Sequence, residues 1–359
     1  MKKKFINLSI FLFGLWMGIV SFANAQTTEK SKAVVKTFSA TGANSVRHVI
    51  IRTESSKVNV SSWNAPEAQI AVVVNITTDN PETARSILDK ITIQYNQDGN
   101  EARATTLING KADNLNWLRR RVQKFEIRFD VRLPSDAGLD VKNEFGTLQI
   151  DSMRGPIHTQ MDYGNVNATA LMNNNNIFEG NYAHYDIHFL HGGKFRTDYA
   201  KIYLDMGFYV RISGDYNTTH LQRIKKLNLV GDYNKVKAKR IKDLFALGDF
   251  LEFNIDRIYN ARIRGDYNKI VLHELGRGFH NFITSGDFNH ITITNPKAVA
   301  YVLQMDTENS EWKISGLKYE GESKKNAHLR TYYKKPDTQA KISIVGDYLH
   351  IEITNPSRL

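Results

Sequence analysis

The sequence predicts an all-β protein, a single-stranded, right-handed parallel β-helix solenoid with a β-rich N-terminal cap. Three observations predict it. One short phrase recurs every 17 residues or so; the apolar residues within each copy alternate as in a half-buried strand; and no copy has enough of them to close a core by itself.

The phrase is Gly-Asp-Tyr-Asn at Gly214, Gly231 and Gly265, with Gly248-Asp249-Phe250 and Gly286-Asp287-Phe288-Asn289 as variants. In the same frame lie Glu144-Phe145, Asp162-Tyr163, Asn181-Tyr182 and Asp198-Tyr199, and a last copy, Gly346-Asp347-Tyr348, follows 60 residues after Asp287. With the acidic residue as position zero, positions four and six are apolar in most units (Ile202 and Leu204, Val236 and Ala238, Ile270 and Leu272). Positions nine, twelve and fourteen are apolar again, as in Ile224, Leu227 and Leu229. Period two over such short runs means strands joined by bends, and stacking equivalent units ~4.8 Å apart merges their inward columns into one core. Right-handedness follows from the general preference for right-handed crossovers. Units of 17 residues are too short for propeller blades of ~40 to 50.

The acidic column of Asp162, Asp198, Asp215, Asp232, Asp249, Asp266, Asp287 and Asp347 reads as structural turn capping. Gly allows unusual backbone angles, and Asp and Asn accept hydrogen bonds from amides two residues on and tolerate the left-handed region. A calcium ladder is the competing reading, but one carboxylate per unit falls short of the several converging oxygens a metal needs. The aromatic residue after each acid is either a buried stack that fixes register or an exposed platform for sugar rings. Phe at three of these sites makes the hydroxyl dispensable and favours a stack with a wet edge.

Residues 26–138 lack the phrase but are β-rich. Alternating runs at Arg47 to Thr53, Lys57 to Trp63 and Phe125 to Leu133 frame one short helix, with Asn80 as its N-cap and Pro81 in its first turn. The role expected of this region is to cover the open end of residues 139–359, since a stack of strands leaves edges exposed. Near 310–336 a polar, basic stretch interrupts the repeat as an excursion or hairpin.

Lys2, Lys3 and Lys4, the apolar run from Phe5 to Phe22 and the small residues of Ala23-Asn24-Ala25 read as a signal peptide over residues 1–25, cleaved between Ala25 and Gln26. An extracytoplasmic product follows, in the periplasm, at the cell surface or secreted, with no transmembrane segment after cleavage. The chain has no cysteine, which excludes disulfide scaffolds, thiolate metal sites and Cys nucleophiles. Lys and Arg outnumber Asp and Glu by 48 to 37. That balance favours an acidic partner, such as an anionic glycan or another cell-envelope component, over nucleic acid, for which the chain carries no recognisable module.

The order of Thr53-Glu54-Ser55-Ser56-Lys57-Val58-Asn59-Val60-Ser61-Ser62-Trp63, a β run with a short helix, and Phe129-Asp130-Val131-Arg132-Leu133-Pro134 leading into Leu139 to Ile150 resembles the secreted bacterial proteins grouped as putative adhesins, a repetitive β-helix family common in the Bacteroidota. Aromatic residues at the turns, where many relatives have aliphatic ones, depart from that pattern. The resemblance implies an exported β-helix and transfers no catalytic residues.

Walker, Gly-x-Ser-x-Gly and His-Glu-x-x-His motifs are absent, so no catalytic, cofactor or metal residues are assigned and no cofactor is expected. His184, His188 and His191 are close in sequence, but ~3.3 Å per residue along a strand spreads them too far for one ion. Lys201, Tyr203, His220, Lys235, Lys237 and Lys269, at positions three and five, form a candidate ligand face for an extended anionic polymer lying along the stack. The function expected is that of a noncatalytic binding or structural module of adhesin type. The alternative is a carbohydrate-active β-helix enzyme, a polysaccharide lyase or glycoside hydrolase, using acids such as Asp186 and Asp205 on neighbouring units.

Overall fold

The computed structural model describes residues 28–38, 46–109, 122–317 and 326–356; the expected signal peptide lies outside them. Among the described residues the chain is almost entirely β, with one helix and strands that join into a single 25-stranded sheet.

The middle of the sheet is built from five strands of 13 residues each: His184–Arg196, Lys201–Ser213, Thr218–Val230, Lys235–Leu247 and Glu252–Arg264. Each pairs in parallel with the next, and every paired residue sits opposite the one 17 further on, as in Ile202↔Thr219, Thr219↔Val236 and Val236↔Phe253. Two short strands per unit were expected; the structure joins them into one strand that bends. In Lys201–Ser213 the buried residues are Ile202, Leu204, Gly207, Val210 and Ile212, so steps of two give way to two steps of three before alternation resumes. Each step of three turns the chain so that a new face looks inward, and the ladder skips one residue at each step, Asp205 and Phe208, before it resumes. The inward columns are nearly sealed, with Ile202, Ile212, Leu227, Leu229, Ile241, Ala246, Phe253 and Ile263 all at 0% exposure.

Towards the N-terminus the same stacking continues past the first copy of the phrase. Thr147–Met153 pairs in parallel with Asn165–Leu171 on one side and with Lys57–Trp63 on the other, while Gly138–Glu144 lies on His48–Glu54. Beyond these, Lys124–Pro134 and Glu101–Ile108 add a last parallel layer. Antiparallel strands then finish the edge: Ala68–Thr78 on Lys124–Pro134, Thr28–Phe38 on Ala68–Thr78, and Ile91–Asp98 on Glu101–Ile108. The helix, Pro81–Leu88, buries Ala84 and Ile87; Asn80 caps it by accepting from the Glu82 and Thr83 amides at 2.9 and 3.3 Å.

At the other end the order in space departs from the order in sequence. Lys341–Val345 and His350–Thr354 pair in parallel with Asn281–Ser285 and His290–Thr294 on one side. On their other side they pair with Tyr301–Glu308 and Glu311–Ile314. The last copy of the phrase is therefore inserted between two earlier segments and lies directly against the unit it most resembles. Asn326–Tyr333 folds back antiparallel on Tyr301–Glu308.

Candidate functional site

The recurring phrase forms one corner of every layer, and its partners lie a layer away rather than two residues on. The Oδ1 of Asp198 accepts from the amide of Asp215, and the same bond links Asp215 to Asp232, Asp232 to Asp249, Asp249 to Asp266, Asp266 to Asp287 and Asp287 to Asp347, each at 2.8 Å. Asp162 begins this column by accepting from Asn181, and Asp347 ends it by accepting from Glu308. One oxygen of each carboxylate thus holds the next layer, which offsets the repulsion between like charges in a column. No group of acids and histidines among the described residues could hold a metal ion. Asp232→Ala is expected to cost ~1 kcal/mol through loss of this bond, read as a lower denaturation midpoint, with no dependence on calcium.

Behind the acids runs a buried asparagine column. Asn217 Oδ1 accepts from the Ala200 amide at 2.9 Å while its Nδ2 donates to the Thr197 carbonyl at 2.7 Å, and Asn234 does the same for Asn217 and Gly214. These side chains are 1% exposed, so they take the place of water for corner amides and carbonyls that the sheet leaves unpaired.

Between the two columns stands the aromatic residue, and it is this residue that adopts the left-handed conformation. Phe145, Tyr163, Tyr182, Tyr199, Tyr216, Tyr233, Phe250, Tyr267, Phe288 and Tyr348 have φ between 53° and 58°. The glycines of the phrase instead take φ of 128° to 155°. The ten rings stack in that order with centroids 4.7–5.3 Å apart and planes within 11° of parallel. They are exposed, from 42% at Tyr233 to 56% at Tyr163. Because each ring covers its neighbours' faces, the column offers solvent a row of edges and hydroxyls. A sugar needs a free face to stack on, so the platform reading does not fit this geometry. Desolvation, then the neighbouring Tyr233 and Tyr199, raise the Tyr216 hydroxyl above its ordinary pKa.

The residues singled out as a ligand face fall into two columns. Lys201, Lys235 and Lys269 share one, but Thr218 and Glu252 alternate with them, and Lys235 Nζ lies 3.4 Å from Glu252. Tyr203 and His220 stack at 4.8 Å in the other, directly before Lys237. They do not make a continuous basic row along the stack.

Positive charge concentrates instead across it. Residues 223–242 hold Arg223, Lys225, Lys226, Lys235, Lys237, Lys239, Arg240 and Lys242, all exposed, against the single acid Asp232. They occupy two adjacent layers and form a belt, with Arg223 opposite Arg240. Arg240 also lies over the Tyr259 ring at 5.1 Å, and Lys225 over Tyr209 at 5.3 Å. Within the belt only Lys235 has an acid partner among the described residues. A groove of about 750 Å³ opens beside it, with Arg223, Lys239 and Arg240 on its walls and Asp205, Asp256 and Glu274 among its lining. At its upper end Arg257 is locked to Glu274 through two bonds of 2.6 and 3.1 Å, and Lys297 joins them at 2.8 Å. Column-wise reading of the sequence missed the belt; counting charge along 223–242 would have found it.

The Arg257 hydrogen bond holds the Glu274 carboxyl below its usual range, against the opposing effect of desolvation and with help from Lys297. A carboxylate with a lowered folded-state pKa stabilises the fold above its unfolded value and loses that contribution as pH falls through the folded one. Thermal melts of Glu274→Gln should therefore lie below wild type at pH 7, and the gap should close as pH drops below the ordinary glutamate range.

The three histidines do not converge. His184 packs on Tyr203 at 5.1 Å, His188 Nδ1 meets Asp205 Oδ2 at 2.7 Å, and His191 Nδ1 meets Asn174 Oδ1 at 2.5 Å. Asp205, one of the two acids considered for glycoside chemistry, is thus engaged with His188, and that hydrogen bond raises the imidazole pKa.

No known protein family matches the chain, and no curated protein does. Among solved structures, a putative cell adhesion protein from Clostridium sporogenes aligns over 90% of this chain and 99% of its own, at 13% identity and a TM-score of 0.21. A putative lipid binding protein from Parabacteroides distasonis aligns over 91% and 97%, at 10% identity and a TM-score of 0.28. Likeness at that level assigns this chain no role.

Proposed function

We propose that the chain is a noncatalytic, extracytoplasmic binding module whose layers form a right-handed parallel β-helix, and that it holds an extended anionic polymer, an acidic glycan of the cell envelope or its surroundings. The belt carries this reading. Eight exposed basic side chains in two layers, against Asp232, whose carboxylate is tied to the next layer, and Asp243, which lies opposite Lys226 and accepts from Asn260, make a surface that attracts anions and pairs with little of its own. The polymer lies across the stack, following the strand direction through Lys237, Lys239, Arg240 and Lys242, rather than along it. Weak contacts summed over several sugars give the affinity. The Asp205–His188 and Arg257–Glu274 pairs bound the belt and set its width at about two layers.

Retention on an immobilised uronate-bearing polysaccharide tests this. Binding should weaken steeply as salt rises, because exposed charges are screened within ~8 Å at physiological ionic strength. Lys237→Glu, Lys239→Glu and Arg240→Glu together should lower affinity roughly 10- to 100-fold, at ~1.4 kcal/mol per tenfold, with the fold unchanged by circular dichroism. Salt-insensitive retention, or equal retention by the triple variant, contradicts the reading; shortening of the polymer during the assay points to an enzyme.

A further inference from the structure

The aromatic column has no part in that proposal. Bulky side chains avoid the left-handed region, at a cost of ~1–2 kcal/mol per residue. The chain itself shows the cheaper solutions, because the positions directly below and above the column are Ser55 (φ 54°), whose amide donates to the Glu144 carbonyl, and Asn309 (φ 47°), which follows the Glu308 carbonyl that accepts from the Tyr348 amide in the same pattern. Corner geometry alone does not call for ten rings. They project outwards and are roughly half exposed, so they do not fill the core either.

A Tyr or Phe side chain can bury ~150–250 Å², so half-exposed rings leave on the order of 80–120 Å² each and ~1,000 Å² in all. That total, ring edges and hydroxyls together, is comparable with the ~800 Å² each partner brings to a stable complex. With the faces already covered, the partner must meet a straight row of edges repeating every 4.7–5.3 Å. A second stack of strands has that period, and a second copy of this chain has it in register without adjustment.

The flanking charges select the orientation. On one side of the rings runs the acidic column, Asp198 to Asp347; on the other runs the column of His184, Lys201, Thr218, Lys235, Glu252, Lys269, His290 and His350, in which three lysines outnumber one glutamate. A two-fold axis parallel to the ladder brings each acidic column opposite the partner's basic one. A two-fold axis perpendicular to it sets acid against acid.

We infer that the aromatic ladder is the seam of a homodimer in which two copies lie side by side with their stacks parallel, rings meeting edge to edge and Asp columns facing Lys columns. The contact is isologous, with each ring near its own equivalent.

The protein purified from cells expressing the full chain should sediment as a dimer, and Tyr199→Asn, Tyr216→Asn and Tyr233→Asn together should make it a monomer with an unchanged circular dichroism spectrum, since Asn accepts this corner. Lys201→Glu with Lys269→Glu, which keeps every ring, should weaken dimerisation roughly tenfold or more. The chain has no cysteine, so single thiols report orientation. Tyr182→Cys and Tyr267→Cys should each form a disulfide with their own kind. A monomer at all concentrations, a dimer indifferent to the triple Asn variant, or crosslinks only between Tyr182→Cys and Tyr267→Cys in a mixture, as an antiparallel pair would give, overturns the inference.

Discussion

Gly231→Ala should destabilise the protein by ~2–6 kcal/mol, a large effect for a single methyl group. A Cβ at Gly231 would stand 2.8 Å from the carbonyl carbon of Gly214 and closer still to its oxygen, and both belong to the backbone of the layer beside it. Neither can yield without moving the whole corner. The φ of 131° adds to this, because side chains with a Cβ rarely adopt it. Strain of ~1–3 kcal/mol for the backbone and a similar amount for the overlap make up the range. Equilibrium denaturation would read the change as a lower midpoint, and a variant as stable as wild type would show that the layers are not stacked glycine on glycine.

Asn217→Ala should cost a similar amount by the opposite route, through removal rather than addition. The Ala200 amide would lose its acceptor and the Thr197 carbonyl a donor, both in a corner that water does not reach. Each buried group left unpaired costs ~1–3 kcal/mol, so roughly 2–6 kcal/mol is expected. Asn217→Leu, close in size, should be no better, because the loss lies in hydrogen bonds and not in packing. Amide exchange at Ala200 should accelerate in both variants while the remote helix amides keep their rates.

The inward columns were legible because burial leaves a direct mark on residue type. Positions four, six, nine, twelve and fourteen hold Ile, Leu, Val, Phe and Ala in nearly every unit, Gly207 and Thr219 being exceptions, and those are the buried positions in Lys201–Ser213 and its neighbours. The corner was legible as a corner but not in its wiring. Asp and Asn suggested bonds two residues away, which is how isolated turns use them. In a stack the nearest amide belongs to the next layer, 17 residues on, and Asp232 reaches Asp249 instead. Gly and Asp were the natural candidates for the left-handed residue, yet Tyr233 takes it and Gly231 takes a conformation only glycine enters easily.

The order of layers was legible only where units follow one another directly. Asp347 lies on Asp287 in space despite the 60 residues between them, and the segment 301–314 stacks beyond. Nothing in a hydrophobic pattern states which edge a late segment will choose. The ligand face suffered from the same limit in reverse: columns were read without their neighbours, so Glu252 beside Lys235 went uncounted and the belt across residues 223–242 went unseen.

The belt and the aromatic ladder both exist only if contacts in the middle of the chain obey a constant difference of 17 in residue number. Long-range nuclear Overhauser effects measure this directly. The account predicts cross-peaks between the rings of Tyr199 and Tyr216, and between the backbones of Ile202 and Thr219 and of Val236 and Phe253, all separated by 17. Cross-peaks whose residue numbers share a constant sum, the mark of antiparallel hairpins through Lys201 to Arg264, would contradict it.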